Sequence, residues 1–221
     1  MKALIIGASR GIGLEFVRQW RADAVQVTAT ARDAAGLARL QALGATALPL
    51  DVVDVNSAAT LAWHIDGERF DIAIIVAGIY GPKTTALEPP TEADFDAVMH
   101  TNVLGPMRLL PQIAAALVPN ARLVVISSRM GSMGLRAGAS GWLYRASKAA
   151  VNSVLKDASI VLGDQAVCVA LHPGWVRTDM GGAGADLAVS DAVATMRRTI
   201  AALRSSQNGA FLDHDGLPLA W

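Results

Sequence analysis

The chain has 221 residues, of which 52% are hydrophobic and 17% charged, and its acidic and basic side chains balance to a formal net charge of zero. This composition excludes intrinsic disorder, and the length suits one sizeable core. Because no basic run is present, the chain also lacks the electrostatic character of proteins that bind nucleic acid or anionic membranes.

Seven short apolar runs have the composition of β-strands. They are Ala3–Ile6, Val25–Thr30, Thr46–Leu50, Ile72–Val76, Leu123–Ser127, Val167–Leu171 and Ala210–Leu212. Several are apolar throughout, which is typical of strands buried on both faces of a parallel sheet. Helical patterns separate them, and no linker or repeat divides the chain. We expect a single α/β domain over residues 1–221, with helices on both faces of a doubly wound parallel sheet of about seven strands.

Three of the intervening segments carry specific helical patterns. Thr91 follows two prolines and begins a near capping box, so a helix is expected to start there. The segment Asn102–Leu117 is apolar on more than one side, although Pro106 and Pro111 interrupt it; such a helix is buried in the core or against another subunit. The last helix has an apolar stripe formed by Val189, Val193, Met196, Ile200 and Leu203.

The first strand leads into a glycine-rich turn, Gly7-Ala-Ser-Arg-Gly11-Ile-Gly13, and then into a helical stretch. Glycine permits a close approach of the backbone to a pyrophosphate, and the helix N-terminus offers free N–H groups. The spacing is GxxxGxG rather than GxGxxG, and a glycine cluster alone also fits a mobile turn. Its position between a first strand and a helix favours a Rossmann-type dinucleotide site.

Two arginines indicate which dinucleotide is bound. Arg10 lies inside the glycine turn, and Arg32 follows the second strand, where the adenosine ribose is recognised in this fold. An acidic residue there binds a 2′-hydroxyl, whereas an arginine accommodates a 2′-phosphate. We expect Asp33 to cap the next helix instead. Either arginine alone could be a solvated surface charge, but their joint placement favours NADP(H) over NAD(H).

Tyr144 and Lys148 lie four residues apart, a spacing that places both side chains on one face of a helix. An ammonium group beside a phenol favours the phenolate and is expected to lower the tyrosine pKa from its usual value of about 10. The tyrosine would then be a usable proton donor near neutral pH. An aromatic and a basic residue at this spacing also form an ordinary surface pair, so the decision rests on the rest of the chain.

Further short motifs accompany these features. In chain order the set is Gly7-Ala-Ser-Arg-Gly-Ile-Gly13, Leu50-Asp51-Val52, Ala77-Gly78, Asn102, Ile126-Ser-Ser128, Tyr144-Arg-Ala-Ser-Lys148 and His172-Pro-Gly-Trp-Val-Arg-Thr178. This set resembles the short-chain dehydrogenase/reductase family over essentially the whole chain. The short length and the ending Asp215-Gly-Leu-Pro-Leu-Ala-Trp221 are similar to the C-factor and sniffer-like carbonyl reductase branch.

The resemblance implies an NADPH-dependent reduction of an aldehyde or ketone, or the reverse reaction. Tyr144 would be the general acid/base, and Lys148 would lower its pKa and hold the nicotinamide ribose. Ser128 would hydrogen-bond the substrate carbonyl, Asn102 would keep a proton-relay water near the lysine, and Asp51 would meet the adenine. The implied cofactor-binding residues are Gly7, Ser9, Arg10, Gly11, Ile12, Gly13, Arg32, Asp51, Val52, Ala77, Gly78, Tyr144, Lys148, Pro173, Gly174, Val176 and Thr178.

Three departures from the family pattern bear on the site. Ile6 replaces a threonine, and Ile75-Val76-Ala77-Gly78 replaces Asn-Asn-Ala-Gly, so the hydrogen bonds of those polar side chains must be made otherwise or lost. The spacing from Ser128 to Tyr144 is a few residues longer than usual, which predicts an enlarged loop, Arg129 to Leu143, over the substrate side. Ser132 is an alternative for the serine role, although the Ser-Ser-x-x-Gly match favours Ser128.

Other chemistries find less support. The histidines lack ligand spacing, so no metal site is expected, and no Gly-x-Ser-x-Gly elbow of a hydrolase is present. The single cysteine, Cys168, excludes an internal disulfide, and neither a signal peptide nor a membrane span of roughly 20 apolar residues is recognisable. We therefore expect a cytoplasmic protein.

An apolar substrate pocket is indicated by loop residues Met130, Met133, Leu135, Trp142, Trp175 and Met180.

Two function classes stay open. One is the reductase, in which the glycine-rich Thr178–Leu187 segment would form a short mobile lid. The other is a signalling or regulatory protein that senses NADP(H), because fold does not determine function. A sensor does not need serine, tyrosine, lysine and asparagine together, and this favours the enzyme. The Asn102–Leu117 and Tyr144–Leu162 helices are expected to pair in a homodimer or homotetramer, as in relatives.

Overall fold

The computed structural model describes all 221 residues and contains one parallel sheet of seven strands. The strands are β1 (Lys2–Ile6), β2 (Gln26–Ala31), β3 (Thr46–Pro49), β4 (Phe70–Ile75), β5 (Leu117–Ile126), β6 (Ala166–His172) and β7 (Ala210–Asp213). Their order is β3-β2-β1-β4-β5-β6-β7, and every neighbouring pair is parallel. The predicted doubly wound sheet is confirmed.

The largest difference from the predicted bounds is at β5, which begins at Leu117 rather than Leu123. Leu117 pairs with Phe70 ahead of a register shift, and the regular ladder with β4 resumes at Arg122. Asn120 has a φ of 61° and turns the intervening backbone. Asparagine tolerates this left-handed conformation better than most residues, so the strand contains an irregularity that an apolar pattern does not reveal.

Eight α-helices cover the two faces of the sheet. They are α1 (Gly11–Ala22), α2 (Ala34–Ala42), α3 (Val55–Ala59), α4 (Leu61–His64), α5 (Glu92–Met99), α6 (Gly105–Ala115), α7 (Trp142–Leu162) and α8 (Val189–Ala202). Helices α1, α2 and α8 bury apolar side chains on one face, and α3, α4, α6 and α7 bury theirs on the other. Each large side chain removed from water contributes about 1.5–3 kcal/mol. None of these helices combines the length and apolar character needed to span a bilayer.

The predicted helix signals have specific outcomes. The Asp33 carboxylate accepts a hydrogen bond from Gly36 N at 2.6 Å and caps α2, as expected. Thr91 caps α5 by accepting from Asp94 N at 3.1 Å. Pro111 does not interrupt the predicted helix, because α6 continues through it. A π-helical turn, His100–Leu104, joins α5 to α6. The first residues of the predicted Asn102–Leu117 helix lie in this turn, and α6 itself begins at Gly105.

The chain folds back along the sheet edge after β7. Leu219 N donates to Phe211 O at 2.8 Å, and the Trp221 ring stacks on Phe211 with centroids 5.4 Å apart. The last residues therefore reach the carboxyl-terminal side of the sheet, on the side of the loop that follows β5.

Candidate active site

An open cavity lies at the carboxyl-terminal edge of the sheet, where the strand order reverses between β1 and β4. Ligands of doubly wound sheets bind at this point because the connections from the two strands diverge there. The predicted cofactor residues that line the cavity are Gly7, Ser9, Arg10, Gly11, Ile12, Arg32, Asp51, Val52, Ala77, Gly78, Tyr144, Lys148, Pro173 and Thr178. Gly13, Gly174 and Val176 do not line it.

The glycine turn between β1 and α1 forms one end of the cavity. Gly7 has a φ of +85°, and a Cβ atom there would lie 2.7 Å from the backbone of Ala77. A Cβ atom at Gly13 would lie 2.3 Å from the Gly7 carbonyl oxygen. Gly7 therefore lets the turn approach the end of β4, and Gly13 lets the first turn of α1 close against it. This packing role explains why Gly13 stands outside the cavity lining.

Thr30, which sequence reasoning missed, anchors the glycine turn from β2. Its buried hydroxyl accepts a hydrogen bond from Gly7 N at 3.0 Å, and its carbonyl oxygen accepts one from Ala8 N at 2.8 Å. The turn thus keeps a side-chain hydrogen bond although position 6 is isoleucine. In the segment Ile75-Val76-Ala77-Gly78, where the family has Asn-Asn-Ala-Gly, Val76 N donates to the Ile6 carbonyl at 2.9 Å. The backbone of β1 therefore holds this segment in place of the missing polar side chains. The only sequence signal for Thr30 is a polar residue within an otherwise buried strand.

The two predicted phosphate-binding arginines lie at the mouth of the cavity. Arg10 Nη1 donates to Asp179 Oδ2 at 3.0 Å, and the two side chains are 71% and 76% exposed. Arg32 follows β2, is exposed and takes part in none of the ion pairs of the chain. Asp33, the acidic residue next to Arg32, has its Oδ1 engaged in the cap of α2.

Tyr144 lies in the first turn of α7 and is almost fully buried. Burial raises the pKa of its phenol to about 12; a hydrogen bond with the Ser128 side chain lowers the pKa, and the neighbouring Tyr80 raises it. The predicted lowering of this pKa by Lys148 is wrong for this structure, because loss of solvation of the phenolate outweighs other effects. The phenol therefore stays protonated at neutral pH.

Lys148 follows Tyr144 by one turn of α7, as the spacing predicts. Its Nζ lies 5.7 Å from the centre of the Tyr144 ring and donates to the Ile126 carbonyl at 2.9 Å. Burial lowers the pKa of Lys148 to about 8. The ammonium group thus predominates at neutral pH, and it is held at the carboxyl end of β5.

Asn102 lies in the π-helical turn, a type of irregularity that recurs at functional sites. Its Nδ2 donates to Ile79 O at 2.8 Å and to Ser147 Oγ at 2.9 Å, while its Oδ1 accepts from Ile79 N at 2.8 Å. Ser147 in turn donates to the Tyr144 carbonyl at 2.8 Å. Asn102 therefore joins the segment after β4 to the helix that carries Tyr144.

Gly78 separates the asparagine from the lysine. A Cβ atom at this position would lie 3.3 Å from Asn102 Oδ1 and 3.4 Å from Lys148 Nζ. The structure thus brings both polar side chains to the backbone of Gly78, which lines the cavity. An alanine there would crowd both groups.

Of the two candidate serines, only Ser128 contacts the tyrosine. Its Oγ also accepts from Met130 N at 3.1 Å, and it is buried at the end of β5. Ser132 is fully buried; its hydroxyl donates to Ala220 O at 2.6 Å and accepts from Leu135 N at 3.0 Å. Ser132 therefore fastens the loop to the last residues of the chain. Neither Ser128 nor Ser132 lines the cavity; the serine of this segment that does so is Ser127.

The enlarged loop before Tyr144 is held from two sides. Met133 N and Gly134 N donate to Trp221 O at 2.8 and 3.0 Å, and Gly141 N donates to Thr84 O at 2.9 Å. Of the six apolar side chains expected around a substrate, Met130 and Trp142 are half-buried, and the other four are exposed: Met133 73% and Leu135 36% in this loop, and Trp175 54% and Met180 45% after β6. Of these, Met180 lines the cavity.

Gly174 and Val176, the two other predicted residues that do not line the cavity, have structural roles in the segment after β6. Gly174 has a φ of +82°, and a Cβ atom there would lie 2.5 Å from the Leu187 side chain. Val176 is buried and forms a bridge to Leu187. Both positions thus support Pro173 and Thr178, which do line the cavity, and the bridge holds the two ends of the expected lid together.

A histidine cluster flanks this edge without lining the cavity. His172 ends β6, as predicted, and burial lowers its pKa to about 4, so it is neutral. Asp213, His214 and Asp215 bring three potential metal-ligand atoms within 4.8 Å, an arrangement that sequence reasoning passed over. His214 Nδ1 and Asp213 Oδ1 are 2.6 Å apart and form a hydrogen-bonded pair.

The residues present fit a dinucleotide. Gly7 and Gly11 of the turn line the cavity without contributing a side chain, which leaves backbone exposed to an approaching pyrophosphate. Two exposed arginines stand at this end, and a buried ammonium and a protonated phenol stand at the other. A redox cofactor with a charged phosphate end and a reactive end near Tyr144 matches this polarity.

Comparison with known proteins agrees with this geometry. The family model described as short chain dehydrogenase matches residues 1–186. The chain belongs to the short-chain dehydrogenase family. Within it, the C-signal protein of Myxococcus xanthus is 37% identical over 154 residues, which are 68% of this chain and 92% of that protein.

Solved structures of short-chain dehydrogenases extend the likeness over the full chain. The carbonyl reductase Sniffer of D. melanogaster superposes with a TM-score of 0.91 at 29% identity, covering 100% of this chain and 99% of that one. The NADPH-bound carbonyl reductase from chicken fatty liver has a TM-score of 0.87 at 32% identity, covering 100% and 94%. The predicted resemblance to the C-factor and sniffer-like branch is confirmed.

Proposed function

We propose that this short-chain dehydrogenase is an NADP(H)-dependent carbonyl reductase that interconverts an aldehyde or ketone and its alcohol. The observation that carries the proposal is that Tyr144 and Lys148 line the same cavity as the glycine turn, with Asn102 hydrogen-bonded to the Tyr144 helix behind them. When bound, the cofactor supplies or accepts the hydride. The likeness to carbonyl reductases, one of them NADPH-bound, supports the choice of substrate class and cofactor.

Tyr144 would act as the proton donor to the carbonyl oxygen. Its raised pKa keeps the phenol protonated at neutral pH, which suits an acid in the reducing direction. The Ser128 hydroxyl, which interacts with the same phenol, would turn to donate to the negative charge that develops on that oxygen. The Lys148 ammonium lies 5.7 Å from the ring centre and would stabilise the phenolate left after proton transfer.

Asn102 and Lys148 would also orient the reacting end of the cofactor. Both approach the backbone of Gly78, and the asparagine is fixed by three hydrogen bonds. This rigidity suits the predicted role of holding a water molecule for proton relay beside the lysine, because a relay requires a fixed path. Pro173 and Thr178 would line the nicotinamide side.

At the other end, the exposed Arg10 and Arg32 would bind the 2′-phosphate of NADP(H). Arginine suits this group because its planar fork matches phosphate oxygens. Asp51 lies beside Val52 in the cavity lining, and its Oδ1 accepts from Val53 N at 3.1 Å. That hydrogen bond orients the carboxylate, which we assign to the adenine amino group.

The experiment that tests this proposal is NADPH consumption measured against a panel of aldehydes, ketones and diketones, with NADH as the alternative cofactor. We expect turnover with NADPH and a clear preference for it. Arg32→Ala should reduce that preference, whereas Arg18→Ala, which removes an exposed arginine of α1 outside the cavity, should not. An unchanged preference in Arg32→Ala would contradict the assignment of this arginine.

A second candidate function is an NADP(H)-dependent signalling protein with little turnover, and the C-signal relative favours it. The two candidates differ in one measurable property. A sensor binds NADPH but consumes none with any carbonyl in the panel, whereas the reductase turns over at least one. The complete set of Tyr144, Lys148, Ser128 and Asn102 favours the reductase, because binding alone requires no proton donor.

We further propose that the protein is a cytoplasmic homodimer or homotetramer built on α6 and α7. These helices expose Met107 by 52%, Ile160 by 70% and Val161 by 83%. Large apolar side chains on neighbouring helices are typical of a subunit contact. Light scattering of Ile160→Glu, compared with Trp63→Glu on α4 as the control, tests this surface; only the first should shift the mass toward the monomer.

A further inference from the structure

A second cavity lies at the opposite edge of the sheet, near the amino-terminal ends of β1 and β4. It has a volume of about 720 Å³ and shares no residue with the dinucleotide cavity. We call it the amino-edge cavity; its lining residues are Met1, Trp20, Asp71, Ile72, Arg122, Ala194, Arg197, Arg198 and Ala201. It is open between the sheet and one flank of α8.

The amino-edge cavity is positively charged. Three arginines line it against one carboxylate, that of Asp71. Asp71 Oδ2 already accepts a hydrogen bond from Lys2 N at 2.6 Å. Arg197 is ion-paired with Asp23, outside the lining, but Arg122 and Arg198 take part in none of the ion pairs of the chain. The cavity therefore presents two uncompensated guanidinium groups, although the whole chain is neutral.

Two donors in the amino-edge cavity have no acceptor in the protein. Arg122 Nε and Arg197 Nε are both buried and lack a hydrogen-bond partner. Arg122 lies in the sheet ladder between Ile72 and Val167, so its strand neighbours offer only apolar side chains. Buried N–H groups are rarely left without a partner in folded proteins, and each such group requires an explanation. The Arg122 Nε itself is closed to a ligand, but the Nη atoms of Arg122 also lack a partner in the protein, and they are the atoms that an oxyanion in the cavity would contact.

The other lining residues are better suited to an organic anion than to an inorganic ion. The Arg197 guanidinium lies 5.9 Å from the centre of the Trp20 ring. Ile72, Ala194 and Ala201 complete an apolar wall. An apolar wall beside guanidinium forks is complementary to a molecule with a charged head and an organic body. The volume is also well above the roughly 30 Å³ occupied by one water molecule.

We propose that the amino-edge cavity binds a small organic oxyanion, a carboxylate or phosphate monoester, through Arg122 and Arg198. The two guanidinium groups form charge-assisted hydrogen bonds with the oxyanion, and the apolar wall covers its organic body. This site is independent of the proposed reductase activity, because it lies at the other edge of the sheet from Tyr144.

The test is calorimetric titration of the protein saturated with NADPH, so that the dinucleotide site is already filled. The probes are phenyl phosphate, benzoate and inorganic phosphate at constant ionic strength. We expect one of the aromatic probes to bind more tightly than inorganic phosphate; comparison of the two shows whether the head is a phosphate or a carboxylate. Arg122→Gln and Arg198→Gln should each weaken that binding by about tenfold or more.

Arg18→Gln is the matched control, since it removes the same charge from an exposed position on α1 outside the cavity. It should leave the affinity unchanged. Arg198 is exposed, so its substitution keeps the test valid if Arg122→Gln fails to fold. The proposal is overturned if no probe binds, if both cavity variants bind like the wild type, or if Arg122→Gln instead dissociates an oligomer, because Arg122 would then belong to a subunit contact.

Discussion

The Tyr80 ring stacks on the Tyr144 ring, with centroids 4.6 Å apart and planes inclined by 24°. Tyr80 is held in place by the Gly141 backbone, where even a Cβ atom would lie 2.3 Å from its hydroxyl oxygen. The only two tyrosines of the chain therefore form one unit at the reactive end of the cavity. The second ring fixes the orientation of the first, although the two residues are far apart in the sequence.

Replacing Tyr80 tests whether this stacking supports proton transfer. Stacked aromatic pairs contribute about 0.5–1.5 kcal/mol beyond their buried area, which corresponds to roughly 2–12-fold in rate if it is lost from the transition state. Tyr80→Leu should therefore lower kcat for carbonyl reduction within that range, while Tyr80→Phe, which keeps the ring, should stay within about twofold. Steady-state kinetics of both variants decide this; equal activity of the leucine variant and the wild type would contradict it.

The pH dependence of reduction should follow Lys148. Its pKa is lowered to about 8, whereas that of Tyr144 is raised to about 12, so below pH 8 the lysine is charged and the phenol is protonated. As pH rises through about 8, the lysine loses the charge that stabilises the developing phenolate. We expect kcat/KM for reduction to be flat at neutral pH and to fall above that value, as expected for an essential acid.

The control for this pH profile is Lys156→Gln, which removes the other lysine of α7 and leaves Lys148 in place. Its kcat/KM should fall at the same pH as in the wild type. A wild-type profile that stays flat through pH 10 would mean that the charge on Lys148 is not required.

Asp179 should compete with the cofactor phosphate for Arg10. Their exposed ion pair has the modest strength typical of surface pairs, about 0.2–1 kcal/mol. Asp179→Asn frees Arg10, and we expect NADPH to bind up to about fivefold more tightly, with NADH unaffected. Asp186→Asn makes the same charge change on the same segment without touching the ion pair and serves as the control. Equal tightening by both variants, measured by fluorescence titration, would point to a general charge effect.

Thr30 should matter for both stability and cofactor affinity. Thr30→Val keeps the shape but removes the acceptor of the Gly7 N–H, and an unsatisfied buried donor costs about 1–3 kcal/mol. The free energy of unfolding in urea should fall by this amount, and NADPH should bind more weakly because the turn loses its anchor. Thr28→Val, on the same strand and half-buried, should cost less. Similar losses in the two variants would remove the special role of Thr30.

The parts of the molecule that are encoded locally could be predicted. Continuous apolar runs indicate the parallel strands, the helical spacing of Tyr144 and Lys148 brings them to one face, and the position of Asp33 after β2 predicts its cap. These features depend on neighbours within a few residues. The same holds for the glycine turn, whose conformation depends on residues that lack a Cβ atom.

What could not be predicted depends on contacts between distant segments. Thr30 replaces a missing side-chain hydrogen bond from another strand, and Tyr80 meets Tyr144 only because the loop after β4 folds over α7. The direction of the Tyr144 pKa shift depends on burial, which a pattern of residue types does not measure. The π-helical turn that carries Asn102 likewise has no periodic signature, because it differs from an α-helix by a single residue.

The central claim is that Tyr144 donates the proton in an NADPH-dependent carbonyl reduction. The most direct measurement compares Tyr144→Phe with the wild type in kcat for the best carbonyl of the panel, at saturating NADPH, together with the NADPH affinity of each by fluorescence titration. We expect kcat to fall by on the order of 10²–10⁴, the range of general acid catalysis, with NADPH affinity changed by only a few fold. A Tyr144→Phe variant that reduces the carbonyl at the wild-type rate would contradict the claim.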